Sequence, residues 1–226
     1  MGHEKEILSF VRSLTVQDYA KRCYKRGQER FDEDSLRSAF LELIGQAQTA
    51  KIASLDPRIQ HTLRTLQNKL GLTLKLSDLP PVPANPDSKK LTRLVPVASK
   101  VTLQKLVEVQ GITNYLNLDK VRDIRPNAQS RFYWLWMQGG EAYKGKSVDD
   151  ATALFAPYER GATVKEGLFL HLYYPETLRN CYMDFAGSRY EDGDAPYLHR
   201  WKDRPWLGAY YPGSALPDYG SASCLR

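Results

Sequence analysis

Apolar positions in this chain follow a helical period early and a strand period late. Leu36, Phe40, Leu43, Ile44 and Ala47 recur on one helical face. Residues 57–70 carry the clearest helix signal: Asp56 stands at the N-cap, Pro57 at the first turn and Gly71 past the end, with Ile59, Leu63, Leu66 and Leu70 as the apolar stripe. The first 72 residues therefore read as helical. The alternating LTLKL (72–76) predicts a short strand.

Four prolines, Pro80, Pro81, Pro83 and Pro86, then predict an extended, exposed connection. Beyond it LVPVAS (94–99) reads as a strand at a sheet edge, because Pro96 cannot donate to a ladder. Residues 102–111 predict a short helix closed by Gly111. FYWLWMQ (131–138 with its flanking Arg131) predicts a strand apolar on both faces, hence covered on both sides. Gly139-Gly140 suits a tight hairpin turn. Ser147 with Asp150 and Thr163 with Glu166 form two capping boxes, and Pro175 ends the second helix. CYMDF (181–185) and YLHRW (197–201) are further strand candidates. These elements define an expected α+β fold: a helical N-terminal part (1–76), a Pro-rich linker (77–90) and an α+β domain (91–226) with a small, mostly antiparallel sheet and packed helices.

Composition narrows the function. The 226 residues include 32 Lys+Arg and 26 Asp+Glu, a formal charge of +6. Residues 1–130 hold 21 basic and 14 acidic groups, whereas residues 131–226 hold 11 and 12. Eleven of the 14 tyrosines lie between Tyr133 and Tyr219, and all four tryptophans are late. No apolar run approaches the roughly 18 residues of a membrane span, so no membrane role is expected. Three cysteines without a CxxC pair fit free thiols in a reducing compartment. The four histidines show no HxxxH or HExxH spacing, so no zinc site is expected, and neither metal nor cofactor is implied.

The blocks FYWLWMQGGEAYKGKSVDD, FAPYERGATVKEGLFLHLYYPETL, CYMDFAGSRY, LHRWKDRPWL and the ending YGSASC resemble an uncharacterised bacterial family, a domain of unknown function with an APxERGxTxxEG block and a GSASC-like ending. The likeness covers about residues 91–226. It implies a bacterial, cytoplasmic origin and supplies no activity, cofactor or site.

Three functional readings compete. Tyr and Trp are enriched as at recognition surfaces, and W-K-D-R-P-W places Arg204 between Trp201 and Trp206, an arrangement suited to gripping a partner. A non-enzymatic binding or regulatory module with a protein partner is the reading these residues favour. An enzyme of hydrolase type is the alternative, with a site drawn from Arg160, Glu166, His171, Asp184, Ser188 and Arg189. Glu166 and His171 are five apart, a poor spacing for an acid–base pair on a helix. Ser221, Ser223 and Cys224 lack the GxSxG context of a nucleophile, and the acidic run Glu191–Asp194 lacks a full calcium loop. The third reading is nucleic-acid binding through Lys21, Arg22, Lys25, Arg26 and Arg30, five cations in one helical segment.

Overall fold

The computed structural model describes residues 57–72, 80–124 and 131–226. The expected helical part ahead of residue 57, the basic segment Lys21–Arg30 with its cations Arg22, Lys25 and Arg26, Cys23 and all but the first residue of the LTLKL strand (72–76) lie outside the described residues. The chain divides into two compact units, residues 1–60 and 61–226; the second carries the sites below.

Helix α1 (Pro57–Leu70) ends at Gly71, whose φ of +67° is the left-handed closure that a glycine accepts without strain. The Pro-rich segment is no free spacer. The indoles of Trp134 and Trp136 donate to the carbonyls of Pro80 and Pro83, at 3.0 and 2.8 Å, and fasten the strap onto the strand that bears them.

Strand β1 (Arg93–Ala98) pairs antiparallel with β4 (Phe132–Gln138), Pro96 opposite Trp134. As Pro96 requires, β1 is an edge strand. The last strand, β11 (Ser223–Leu225), inserts between β4 and β5 (Glu159–Gly161), so the chain ends inside a four-stranded sheet of order β1-β4-β11-β5. A second sheet, order β10-β6-β8-β9-β2, joins β10 (Tyr219–Ser221), β6 (Tyr182–Asp184), β8 (Ala195–Trp201), β9 (Arg204–Tyr210) and β2 (Thr113–Asn114). Strands β3 (Val121–Asp123) and β7 (Ser188–Tyr190) form a two-stranded antiparallel ribbon.

Helix α2 (Leu103–Val109) is capped by Thr102, and α3 (Val148–Ala153) by Ser147. Helix α4 (Val164–Tyr173) carries the full capping box of Thr163 and Glu166. Nine of its ten residues are buried, as expected of a helix that is apolar nearly all round. It packs against β1 and α2. At Gly167 an added Cβ would run into the Phe185 ring, so the glycine lets that ring seat on the helix.

The fold expected from the sequence, α+β with a helical N-terminal part and one small sheet carrying packed helices, is not the one observed. Strands are spread over three sheets. The described α-helices number four, three of them with ten residues or fewer, and α4 is a core helix and no surface layer. Six of the strands have only three residues, too short for an alternation signal. Gly139-Gly140 also differs from expectation. It makes no hairpin turn, because β4 is flanked by β1 and β11. Gly140 (φ +107°) instead lies so close to Gly220 that a Cβ on either would strike the other's carbonyl oxygen.

Candidate functional site

Two regions bring polar and aromatic residues together. The first surrounds β11. Its pairing partners are Gln138 and Met137 on β4 and Gly161, Arg160 and Glu159 on β5, so the sequence blocks around 138, 160 and 223 meet at one strand. Glu159 is completely buried. Its Oε2 accepts from Lys90 Nζ (2.7 Å), Tyr143 OH (2.8 Å) and the Ala156 amide (3.1 Å), and its Oε1 from Ser223 Oγ (2.5 Å). Burial raises the Glu159 carboxyl, and the donors from Lys90, Ser223 and Tyr143 more than reverse this and hold it below the usual carboxylate range. Lys90 also lies over the Tyr143 ring, 4.6 Å from its centroid.

Glu166, also fully buried, takes both guanidinium nitrogens of Arg160 at 2.6 and 2.8 Å, the Thr163 amide at 2.8 Å and Tyr133 OH at 3.2 Å. Burial disfavours the Arg160 cation, and the paired carboxylate outweighs that and raises its pKa. Gln138 closes the lattice by donating to Ser221 O and Ser223 Oγ, both at 2.8 Å. Cys224 is fully buried, and burial pushes its thiol well above the usual range, the opposite of an activated nucleophile. A cavity of about 260 Å³ borders this lattice, lined by Phe155, Glu159, Arg160, Thr163 and Arg226 among others. The carboxylates of Glu159 and Glu166 are fully engaged by the donors just named, so the lattice is built for cohesion.

The second region is one face of the five-stranded sheet. Cross-strand register puts Tyr219 beside Tyr182, Ser221 beside Asp184, Asp184 beside Tyr197, His199 beside Trp206 and Thr113 beside Trp206. Side chains at paired positions share a face, so this face is paved with rings. Tyr219 meets Tyr182 at 5.1 Å, Tyr197 at 5.5 Å and Tyr210 at 5.8 Å between centroids, all nearly edge to face. His199 Nδ1 and Tyr219 OH are hydrogen-bonded at 2.9 Å. The pavement reaches Trp206, on which Tyr115 stacks at 5.0 Å and 29°. Most of these rings are half-buried, but Tyr115 (62%) and Trp201 (54%) stand out into solvent.

Beneath the rings Asp184 is fully buried. Tyr210 OH donates to its Oδ1 at 2.9 Å, while its Oδ2 has no partner. Burial raises this carboxyl to about 7 against the weaker opposing effect of the Tyr210 bond. Ser221 Oγ and Trp206 Nε1 are likewise buried without partners. The hairpin beyond Trp201 turns at Lys202 and Asp203, both at positive φ (+46° and +66°), and carries Arg200, Lys202 and Arg204 against the one acid Asp203.

The residues singled out from the sequence fall in different places. Arg160 and Glu166 form one ion pair. Ser188 Oγ donates to Asp123 (2.7 Å) and accepts from the Val164 amide (3.0 Å), a structural tie between β7 and α4. Arg189 bonds the carbonyls of Ala186 and Ser188. His171 lies at the other end of α4 and lines a separate cavity. Asp184 lies under the tyrosines. Trp201 and Arg204 are register partners at the hairpin, and Trp206 stacks with Tyr115, not with Arg204. Sequence reasoning missed Lys90 and Tyr115. Lys90, beside an acidic partner 69 residues away, gave no local signal, whereas Tyr115 directly follows β2, is bonded through its amide to Leu207 of β9, and shares its parity with Thr113. Among the described residues no group of three or more His, Cys, Asp or Glu is placed to hold a metal ion, and no helix is long and apolar enough to cross a membrane.

No family model matches the chain, and no curated protein or solved structure matches it either.

Proposed function

We propose that the chain is a non-enzymatic binding or regulatory module whose ring-paved sheet face docks a polypeptide partner. The partner segment has an apolar anchor flanked by acidic side chains. One observation carries this reading. Trp201 and the Tyr115–Trp206 stack project from an otherwise self-packed aromatic face, and the adjoining turn bears Arg200, Lys202 and Arg204 with a single acid. Exposed aromatic groups supply large contact area at small entropic cost, and a cationic rim steers and selects acidic partners. The resemblance of residues 91–226 to an uncharacterised bacterial family supports a cytosolic setting.

Selection of a displayed random-peptide library on the wild-type chain tests the reading. Aromatic or aliphatic residues flanked by Asp and Glu are expected to be enriched, and the enrichment to vanish on Trp201→Ala/Tyr115→Ala. Enrichment of basic or featureless peptides, or equal selection on the double variant, would overturn it.

A further inference from the structure

The proline strap on β4 is held by the one polar handle its sequence offers. Proline has no backbone N–H, and an extended proline-rich segment makes no internal hydrogen bonds, so its carbonyls are left to accept. Tryptophan supplies the matching half, because an indole N–H donates and never accepts. Trp134 Nε1 donates to Pro80 O at 3.0 Å, and Trp136 Nε1 donates to Pro83 O at 2.8 Å. The acceptors are three residues apart, one turn of a polyproline II helix. The donors are two apart, on a single face of β4. Phe132 shares that face, its ring edge to face with Trp134 at 5.3 Å, and β1 sets Leu94, Pro96 and Ala98 opposite the three aromatic positions. Burial along the strap follows the same period: Pro80 and Pro83 are half-buried, while Pro81 and Val82 between them are exposed.

The strap is fastened unevenly. From residue 85 onward it is tied down: Asn85 Nδ2 donates to Leu91 O (2.8 Å), Asp87 accepts from Tyr158 OH (2.9 Å), and Lys90 reaches Glu159 (2.7 Å). Residues 80–84 make no hydrogen bond among the described residues except the two from the indoles, and none of the five is fully buried. Two neutral hydrogen bonds offset little of the conformational entropy that five ordered residues give up. Peeling 80–84 away frees both indole N–H groups and leaves the ties of Asp87 and Lys90 in place.

We propose that the Phe132–Trp134–Trp136 face of β4 is a recognition groove for polyproline II segments, occupied in cis by residues 80–84, and that a Pro-Pro-x-Pro segment of another protein takes the strap's place. Proline-rich ligands dock in aromatic-lined grooves because their preformed conformation loses little entropy on binding. The resident strap defines the chemistry of the incoming segment: two main-chain acceptors three residues apart, with no donor needed between them. It also sets a threshold, since a tethered competitor acts at an effective concentration in the millimolar range. The groove belongs to the four-stranded sheet, so the proposal stands apart from the ring-paved face of the five-stranded one.

Two-dimensional NMR of the indole N–H groups in the full chain tests this. The probe is the capped strap peptide PPVPANP (80–86), and AAVAANA is the comparison. The hosts are the wild type and Pro80→Gly/Pro81→Ser/Val82→Gly/Pro83→Ser, whose strap is a flexible coil. PPVPANP should move the Trp134 and Trp136 signals and leave those of Trp201 and Trp206 in place. It should bind the Gly/Ser host at least about tenfold tighter than the wild type, because the groove is then open in most molecules. AAVAANA should be weaker by a comparable factor. Trp136→Phe in the Gly/Ser host assigns its signal, keeps a ring, removes one donor and should weaken binding roughly tenfold. A melting curve checks the fold of the Gly/Ser host. Where that host is unfolded the wild type decides, at roughly 10 mM peptide, above the effective concentration of the strap. No movement of the Trp134 and Trp136 signals in a folded host, equal binding of AAVAANA, or shifts confined to Trp201 and Trp206 would overturn the proposal. So would a concentration-dependent wild-type dimer that is lost in the Gly/Ser host, which assigns the groove to the strap of a second copy. These outcomes are independent of the random-peptide selection, whose control variants lie on the other sheet.

Discussion

The lattice around β11 and the ring-paved face around Asp184 use buried polar groups in opposite ways. Around β11 each buried carboxylate is met by its full set of donors, four for Glu159 and four for Glu166. Around Asp184 the rings are satisfied by one another, and three buried polar atoms, Asp184 Oδ2, Ser221 Oγ and Trp206 Nε1, are left over. A saturated network holds a fold together and leaves nothing to offer a ligand. Unspent polar capacity next to exposed aromatic surface is where binding is sought. The two groups of residues thus divide: those near 138, 160 and 223 tie strands together through saturated hydrogen bonds, and those near 182, 199 and 206 line the ring-paved face.

The largest effect should come from breaking the saturated side. Glu166→Ala leaves Arg160 without its anion in a mostly buried setting and should destabilise the unit by roughly 3–5 kcal/mol, read as a fall in the urea midpoint at unchanged slope. A loss below about 1 kcal/mol would show that the lattice is ornamental and erase the contrast with Asp184.

The unsaturated side should respond with the opposite sign. The Asp184 carboxyl titrates higher when folded (about 7) than when unfolded (near 3.8). Between those values the native chain holds the extra proton, so this group's contribution is most favourable below pH 3.8 and is lost as pH rises toward 7. Asp184→Asn removes the charge, keeps an acceptor for Tyr210 and supplies a donor for Ser221. It should stabilise the protein at pH 8 by on the order of 2–4 kcal/mol and flatten the stability profile between pH 4 and 7. Destabilisation at pH 8 would mean that the ionised form has a partner the geometry does not provide.

Packing gives a smaller test. Gly167→Ala drives a methyl into the Phe185 ring and should cost about 1–3 kcal/mol, with partial rescue by Phe185→Leu in the same melting assay. Smallest of all should be Trp201→Ala. An exposed indole at a hairpin should change stability by no more than about 0.5 kcal/mol, so that any loss of binding is read without a folding defect.

Local chemistry was legible in the sequence, and distant pairing was not. Pro57, Gly71, Ser147 and Thr163 announced helix ends, and Pro96 announced an edge strand, because each acts through its own backbone or that of neighbours a turn away. The insertion of β11 depends on partners 64 and 85 residues away, Glu159 and Gln138, and no periodicity encodes that. Lys202–Asp203 turns a hairpin without glycine or asparagine, so the usual turn signal was missing. Of the candidate site, the Arg160–Glu166 pair could be anticipated from the helix start, and the aromatic surplus after residue 131 pointed to the paved face. The separation of His171 and Asp184 from that ion pair followed only from tertiary structure.

Photocrosslinking addresses the central claim most directly. A benzophenone amino acid is placed at Trp201 and, as a control, at Leu154, which is equally exposed (54% and 55%) but belongs to the C-cap of α3 and not to the five-stranded sheet. Irradiation in the cells that make the protein should give a discrete protein adduct from position 201, diminished by Tyr115→Ala, and none from position 154. Equal labelling at the two positions, or no adduct at 201, would contradict the assignment of the paved face as the binding surface.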